Sequence, residues 1–297
     1  MSEPKVTFAS LTGQLFWASR PISWINTAYP FAMAYWLATR QLDATFIIGT
    51  LFFLIPYNLL MYGINDVFDY ESDLRNPRKG GIEGSVLHPN WHRPTLLVSF
   101  LLPIPFLAYL FWVGSLNSGL WLALFVFTVI AYSAKGMRFK EIPLLDSITS
   151  ASHFVGPMIV GLAIAGVNLY EPNALLLIGA FTLWGMASHA FGAVQDIAAD
   201  REGKISSIAT AFGAKGTSRF ALWCYALAGL LLLPAQWPTP LVAIAALPYL
   251  FVVWPFRNLS DADCEQANRG WRRFIWLNFF AGFLVTMVII YAAISPR

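Results

Sequence analysis

The sequence predicts an all-α integral membrane protein with nine transmembrane spans in a single domain covering residues 1–297. Three observations carry that prediction. Only 12% of the residues are charged and 57% are hydrophobic, whereas a soluble domain carries roughly 25% charged residues. Seven long runs contain no Lys, Arg, Asp or Glu, and two of them are long enough to cross a bilayer twice. The basic residues between the runs are segregated to one side.

A spanning helix needs about 20 mostly apolar residues. The first run is 21–39, entered through Arg20 and Pro21. The second is 44–65, with Pro56 inside it expected to kink the helix and Asn58 placed to line a cavity. The third, 94–134, is double length and breaks at the turn-rich stretch from Gly114 to Gly119. Single spans follow at 147–170 and 172–195. The run 220–256 is again double and breaks between Pro234 and Pro240; 274–296 is the last. Seven runs with two doubled make nine spans, so the termini lie on opposite sides.

The charges test that count. With nine spans, every one of the 19 Lys and Arg residues except Arg40 and Arg297 falls on one side. The positive-inside rule makes that side cytoplasmic. The N-terminus and the long loops are therefore expected in the cytoplasm of a multi-pass cell-membrane protein, and the C-terminus opposite. Trp17, Trp24, Trp91, Trp237, Trp254, Trp271 and Trp276 sit near span ends, where indoles favour the interface. No cleavable leader is expected, because residues 1–20 lack an apolar core with a small-residue cleavage site. Cys224 and Cys264 lie in a span and a loop and offer no disulfide framework.

The chemistry-bearing residues gather at two places on the cytoplasmic side. After the second span come Asn65, Asp66, Asp69, Glu71 and Asp73. On a continuous helix Asn65, Asp69 and Asp73 share a face, with Asp66 beside them. Carboxylates at a helix C-terminus oppose the macrodipole, so they need cations. Hard oxygen donors suit Mg²⁺, and Mg²⁺ suits phosphates. The next loop supplies Arg75, Arg78, Lys79 and two glycines. After the fifth uncharged run, Gln195, Asp196 and Asp200 repeat the pattern and lead to Arg201, Gly203 and Lys204. An aromatic-Gly pair precedes each cluster, Tyr62-Gly63 and Phe191-Gly192. That weak repeat makes two four-helix halves plus a ninth helix. Lys135, Arg138 and Lys140 close the fourth span and suit either a diphosphate or lipid head groups. His88 and His92 lack a third ligand for zinc. His153 and His189 fall within spans, where a hydrogen-bonded packing role is expected.

Asn65-Asp66, Asp69 and Asp73, together with Asp196 and Asp200, resemble the two aspartate-rich motifs of the UbiA-type intramembrane prenyltransferases. The resemblance covers essentially the whole chain. The second motif departs from the common form, since Ala198 and Ala199 stand where an acidic residue and a glycine often appear. The resemblance implies a UbiA-like bundle with a cytoplasmic cap from the helix 2–3 and helix 6–7 loops, the two clusters facing one metal–diphosphate site. It implies Mg²⁺ held by Asn65, Asp66, Asp69, Asp73, Asp196 and Asp200, and a diphosphate contacted by Arg20 and Lys140, with Lys79 and Lys204 as further candidates. Two stretches, Ser19 to Phe31 and Ile55 to Gly81, are similar to the lycopene elongase branch. They imply dimethylallyl diphosphate as donor and lycopene, or another lipophilic acceptor, as acceptor. Membrane lipids are the remaining expected partner, and no nucleic acid is expected.

Two rivals are weighed. An aromatic acceptor, as in quinone biosynthesis, often bears a carboxylate or phenol and would want an internal cation; no Lys or Arg lies mid-span. A cation transporter would place its acids near the bilayer midplane, whereas here they sit at span ends.

Overall fold

The computed structural model describes residues 8–74 and 86–294, all of whose regular elements are helical. In chain order the α-helices are α1 (Phe8–Ala18), α2 (Trp24–Thr39), α3 (Ala44–Leu54), α4 (Pro56–Phe68) and α5 (Tyr70–Asp73). Then come α6 (His92–Leu101), α7 (Ile104–Val113), α8 (Leu116–Ser133), α9 (Leu145–Ile164) and α10 (Pro172–Val194). The last are α11 (Ile197–Glu202), α12 (Ile208–Leu232), α13 (Ala246–Val253) and α14 (Asn268–Ile294). Among the described residues, seven helical stretches are long and apolar enough to cross a membrane, and the chain is a multi-pass membrane protein. Two expected spans are helical but outside that set. The first is α2, at 16 residues. The other lies in α12, which is interrupted at Gly213 and carries Lys215 and Arg219 in its first half. The two doubled runs divide where turn residues were read, between Val113 and Leu116 and between Leu232 and Thr239.

The chain divides into two compact units. One comprises Met1–Phe139 and Ser152–Leu169, the other Lys140–Ala151 and Tyr170–Arg297. The first unit is centred on an aromatic cluster from α2, α3 and α4. Phe31 and Phe53 lie 5.1 Å apart by ring centroid, Phe52 and Phe53 4.8 Å, and Phe53 and Tyr57 5.0 Å. Gly49 lets the Phe31 ring lie directly on the backbone of α3, where a Cβ would collide with it. Small residues at such crossings allow the close approach on which apolar helices in lipid depend.

Pro56 breaks the second span between α3 and α4. Proline lacks an N–H and cannot continue the helical ladder, so carbonyls upstream need other donors. Asn58 supplies them. Its Nδ2 donates to the carbonyls of Phe53 and Leu54 at 2.9 and 3.0 Å and to Thr27 Oγ1 at 2.6 Å. Thr27 in turn donates to Phe53 O at 2.6 Å. Asn58 is fully buried. It stitches the break to α2 and so aims α4, with its terminal acidic residues.

The second unit is held by α10, α12, α13 and α14. Tyr225 stacks on Tyr249 at 5.0 Å, and Phe274 lies 5.5 Å from both Phe191 and Tyr249. No pair of helices is in more extensive contact than α10 and α12.

Two predictions follow from these elements. Asn58→Leu removes the side-chain donor to the Leu54 carbonyl and one of the two to that of Phe53, and should lower stability by about 1–3 kcal/mol, read as the shift of the unfolding midpoint in detergent. Asp43 caps α3, accepting from Phe46 N–H at 2.9 Å. That bond, chiefly, holds its carboxyl below the usual carboxylate range, with Tyr35 O–H adding at 2.8 Å. A depressed folded-state pKa gives stability that is full above the unfolded value and lost as pH falls through the folded one. Wild type should exceed Asp43→Ala by about 1 kcal/mol at neutral pH. The gap should close as the medium is acidified below about pH 4, as read by thermal unfolding at stepped pH.

Candidate active site

The first acidic cluster lies where α4 ends. Asn65 and Asp66 are in its last turn, and Asp69 is the C-cap residue, its N–H donating to Asn65 O at 2.9 Å. The sequence pattern read 65, 69 and 73 as one continuous helical face. The structure breaks that face at Asp69, whose backbone (φ −99°, ψ 1°) leaves the helix before α5 begins. Asp73 is the last residue of α5, and Lys79 lies outside the described residues.

Cations meet these carboxylates from elsewhere in the same unit. Arg20 donates through Nη2 to Asp66 Oδ1 at 2.5 Å, across 46 residues of sequence. The Asp66 side chain is fully buried and that of Arg20 is 13% exposed. The guanidinium also lies over the Tyr62 ring, 4.6 Å from its centroid. Such a contact gains in a desolvated setting. Arg138 reaches Asp69 Oδ1 at 3.4 Å. Ser133, at the end of α8, donates to Asn65 Oδ1 at 2.8 Å. Three aligned elements, α4, the Arg20 turn and the end of α8 with its following turn, therefore converge on five consecutive residues. Arg20 and Arg138 both have left-handed backbones, with φ of 51° and 43°. Non-glycine residues adopt that conformation at a cost of order 1–3 kcal/mol, and Arg20 does so immediately before Pro21. The turn sends its side chain back onto α4.

The second cluster repeats part of the local grammar in the other unit: an apolar helix, a cap and a short helix, here followed by a left-handed Lys. Gln195 caps α10, and Asp196 caps α11 with Asp200 inside it. Lys204 has φ 56°. Asp200 N–H donates to Asp196 O at 2.8 Å, and Asp200 Oδ2 accepts from Ser207 Oγ at 3.5 Å. Gln195 is held by Asn268, at the start of α14, through a bond of 2.5 Å. Lys140 lies in a short 3-10 turn, Phe139–Glu141, and is half-buried.

Sequence reasoning set aside several residues that the structure brings forward. Arg138 was one of three loop cations and was not singled out; it is in contact with Asp69. Asp146, which stands immediately before the 147–170 run, was given no role, and His189 was read as a packing residue. The Asp146 carboxylate is fully buried and lies 3.7 Å from His189 Nε2. Asn58, read as a cavity residue, is instead taken up by the helix break. No spacing rule links residues 20 and 66, or 146 and 189, because each contact is made by tertiary packing.

The donor set is chemically suited to Mg²⁺. It offers carboxylate and amide oxygens at helix ends, with Arg side chains close by for phosphate oxygens. Among the described residues no three acidic, His or Cys side chains gather as a complete cage. Mg²⁺ rarely uses one, since it takes one or two carboxylates and completes its shell from water and substrate phosphates.

This is the architecture of an intramembrane enzyme with paired acidic helix ends, and comparison with known proteins identifies its class. Residues 27–279 match the UbiA prenyltransferase family. The chain belongs to that family and is a prenyltransferase. It is 57% identical over 281 residues to the C(50) beta-cyclic carotenoids biosynthesis protein LbtBC of Dietzia sp., covering 94% of this chain and 65% of that one. It is 52% identical over 275 residues to a lycopene elongase/hydratase of Corynebacterium glutamicum, covering 92% and 95%. The chain thus spans just under two thirds of the first relative and nearly all of the second. A UbiA homologue from Archaeoglobus fulgidus, solved with DMAPP and Mg²⁺, shares the fold with a TM-score of 0.65. Sequence identity there is 19%, over 90% of this chain and 98% of that one.

Removing Arg20 takes the paired guanidinium away from the buried Asp66 carboxylate. Arg20→Met should cost about 3–5 kcal/mol of stability. Adding Asp66→Asn should recover much of that loss, because the buried charge is gone. A double-mutant cycle of unfolding midpoints in detergent checks both statements.

Proposed function

We propose that this enzyme transfers a dimethylallyl group from its diphosphate to the ends of lycopene, in a Mg²⁺-dependent reaction that yields C45 and C50 carotenoids. The observation that carries the reading is the buried pairing of Asp66 with Arg20, beside Asp69 with Arg138, at the end of an apolar helix. Carboxylates for a metal and guanidiniums for a phosphate stand within one turn of each other. The lycopene elongase and C50-carotenoid names of the relatives support the choice of acceptor. The DMAPP and Mg²⁺ of the solved homologue support the donor and the ion.

In this reading Asn65, Asp66, Asp69 and Asp73 form one half of the ligand set, and Asp196 and Asp200 the other. Arg20, Lys140, Lys204 and Lys79 contact diphosphate oxygens, and Arg138 joins them. Mg²⁺, when bound, neutralises the diphosphate and makes it a better leaving group. The C1–O bond of the donor breaks and its electron pair leaves with the diphosphate. The guanidiniums of Arg20 and Arg138 share the charge that accumulates on the departing oxygens. Apolar spans keep water from the allylic cation. The terminal alkene of lycopene supplies the electron pair of the new C–C bond, and the resulting tertiary cation loses a proton or adds water. A hydrocarbon acceptor has no ionisable group, which accords with spans that carry no Lys or Arg in their centres. Lycopene enters sideways from the bilayer. The topology proposed for this chemistry has nine spans, with the N-terminus, both acidic clusters and the loops that cap them in the cytoplasm.

Membranes containing the protein, incubated with lycopene, dimethylallyl diphosphate and Mg²⁺, should yield products heavier by one and two five-carbon units. EDTA, Asp66→Ala and Asp196→Ala should each reduce their formation about a hundredfold or more. Prenylation of an aromatic acid in place of lycopene would overturn the acceptor. Full activity in both aspartate variants would overturn the site.

A further inference from the structure

Two carboxylates outside the acidic motifs grip the segment that carries Asp196 and Asp200. Asp146, near the start of α9, is fully buried and directs Oδ2 at the first amide of α12, accepting from Ile208 N–H at 2.6 Å. Its Oδ1 accepts from Ser147 N–H at 2.6 Å and Ser147 Oγ at 3.1 Å. His189 of α10 lies on the same carboxylate, 3.7 Å from Oδ2. Asp146 therefore ties the last turns of α10 to the first turn of α12, and everything between them is the acidic loop. Ser207, the residue before Ile208, is the N-cap of α12 and the partner of Asp200 Oδ2.

Asp261 grips the same loop from outside. The helix α12 is interrupted at Gly213 (φ 68°, ψ 170°), a backbone that suits glycine, and restarts at Ala214. Asp261 Oδ1 accepts the Ala214 N–H at 2.6 Å, capping the restart, while Oδ2 accepts from Arg201 at 2.7 Å. Arg201 directly follows Asp200 on α11. Each half of the broken helix thus has a carboxylate at its positive end, where the exposed amides and the macrodipole favour it. Asp261 also bonds Arg201 inside the acidic loop, and Asp146 also lies 3.7 Å from His189 of α10.

We infer that Asp146 and Asp261 are positioning residues for the second acidic motif, clamping its loop from both sides so that Asp200 meets the metal–diphosphate in a preset place. The inference rests on the reading of Asp196 and Asp200 as ligands. Neither clamp residue needs to touch the substrate. The advantage is preorganisation, because a ligand on an untethered loop must be ordered at each binding event.

The test measures binding without turnover. Full-length protein in detergent is titrated with Mn²⁺ in the presence of the unreactive dimethylallyl S-thiolodiphosphate, and free Mn²⁺ is read by electron paramagnetic resonance. Asp261→Ala and Asp146→Asn should each weaken Mn²⁺ binding about tenfold, the usual range for residues that orient a metal ligand. In an Asp200→Ala background, Asp261→Ala should add less than about twofold, because a residue acting through Asp200 has nothing left to position. A merely structural role would add its full effect in either background. Asp261 is 38% exposed at its side chain and tests the inference independently of whether Asp146→Asn folds. Unchanged binding in Asp261→Ala, or losses that add in full in the double variant, would overturn the clamp while leaving the site intact. Unchanged binding in Asp200→Ala alone would overturn the ligand reading and the clamp with it.

Discussion

Negative charge at the C-terminal end of an apolar helix is the constraint on which the rest of this protein depends. The helix dipole opposes it, and dehydration opposes it further. Asp66 bears both penalties, since its side chain is fully buried in the last turn of α4. It is tolerated because Arg20 is brought to it through a left-handed turn before Pro21, and because Tyr62 provides a π face beneath the guanidinium. The break at Pro56, sealed by Asn58 and Thr27, sets the direction in which α4 delivers that carboxylate.

The second unit fixes its acidic loop by other contacts. There the acidic loop is followed by a broken helix, and the two new N-termini attract Asp146 and Asp261. Backbone amides satisfy these carboxylates, with Arg201 and His189 as side-chain neighbours. Asp196 and Asp200 remain on a short helix bounded by these contacts. The first cluster is met by arginines, and the loop of the second by helix ends, although both clusters follow an aromatic-glycine pair and an apolar helix.

Much of this was legible from residues alone. The uncharged runs marked helical stretches, seven of them long and apolar enough to cross a membrane among the described residues, and the turn-rich stretches at Gly114 and Pro234–Pro240 marked where doubled runs divide. The paired amide–Asp signatures marked both acidic clusters, and Asp at the end of an apolar run demands a cation whatever the fold. Other features were not legible. The period that put residues 65, 69 and 73 on one face assumed a helix that Asp69 in fact terminates. Arg138 was not singled out, since the resemblance pointed to Lys140 and nothing in a loop sequence says which cation turns back. Asn58 read as polar lining because the carbonyls it serves are exposed only once the helix breaks.

The sequence by itself determined that the chain lives in a membrane and that two of its helices end in acidic clusters, since these follow from local composition and from the cost of burying charge. Only the tertiary structure decided which cation meets which carboxylate, and that Asp146 and Asp261 serve a loop far from them in sequence. The physical reason is range. Hydropathy and periodicity act over one or two turns of helix, whereas Arg20 with Asp66, Asp146 with Ile208 and Asp261 with Arg201 are separated by 46, 62 and 60 residues. Contacts at such separations arise only when helices pack.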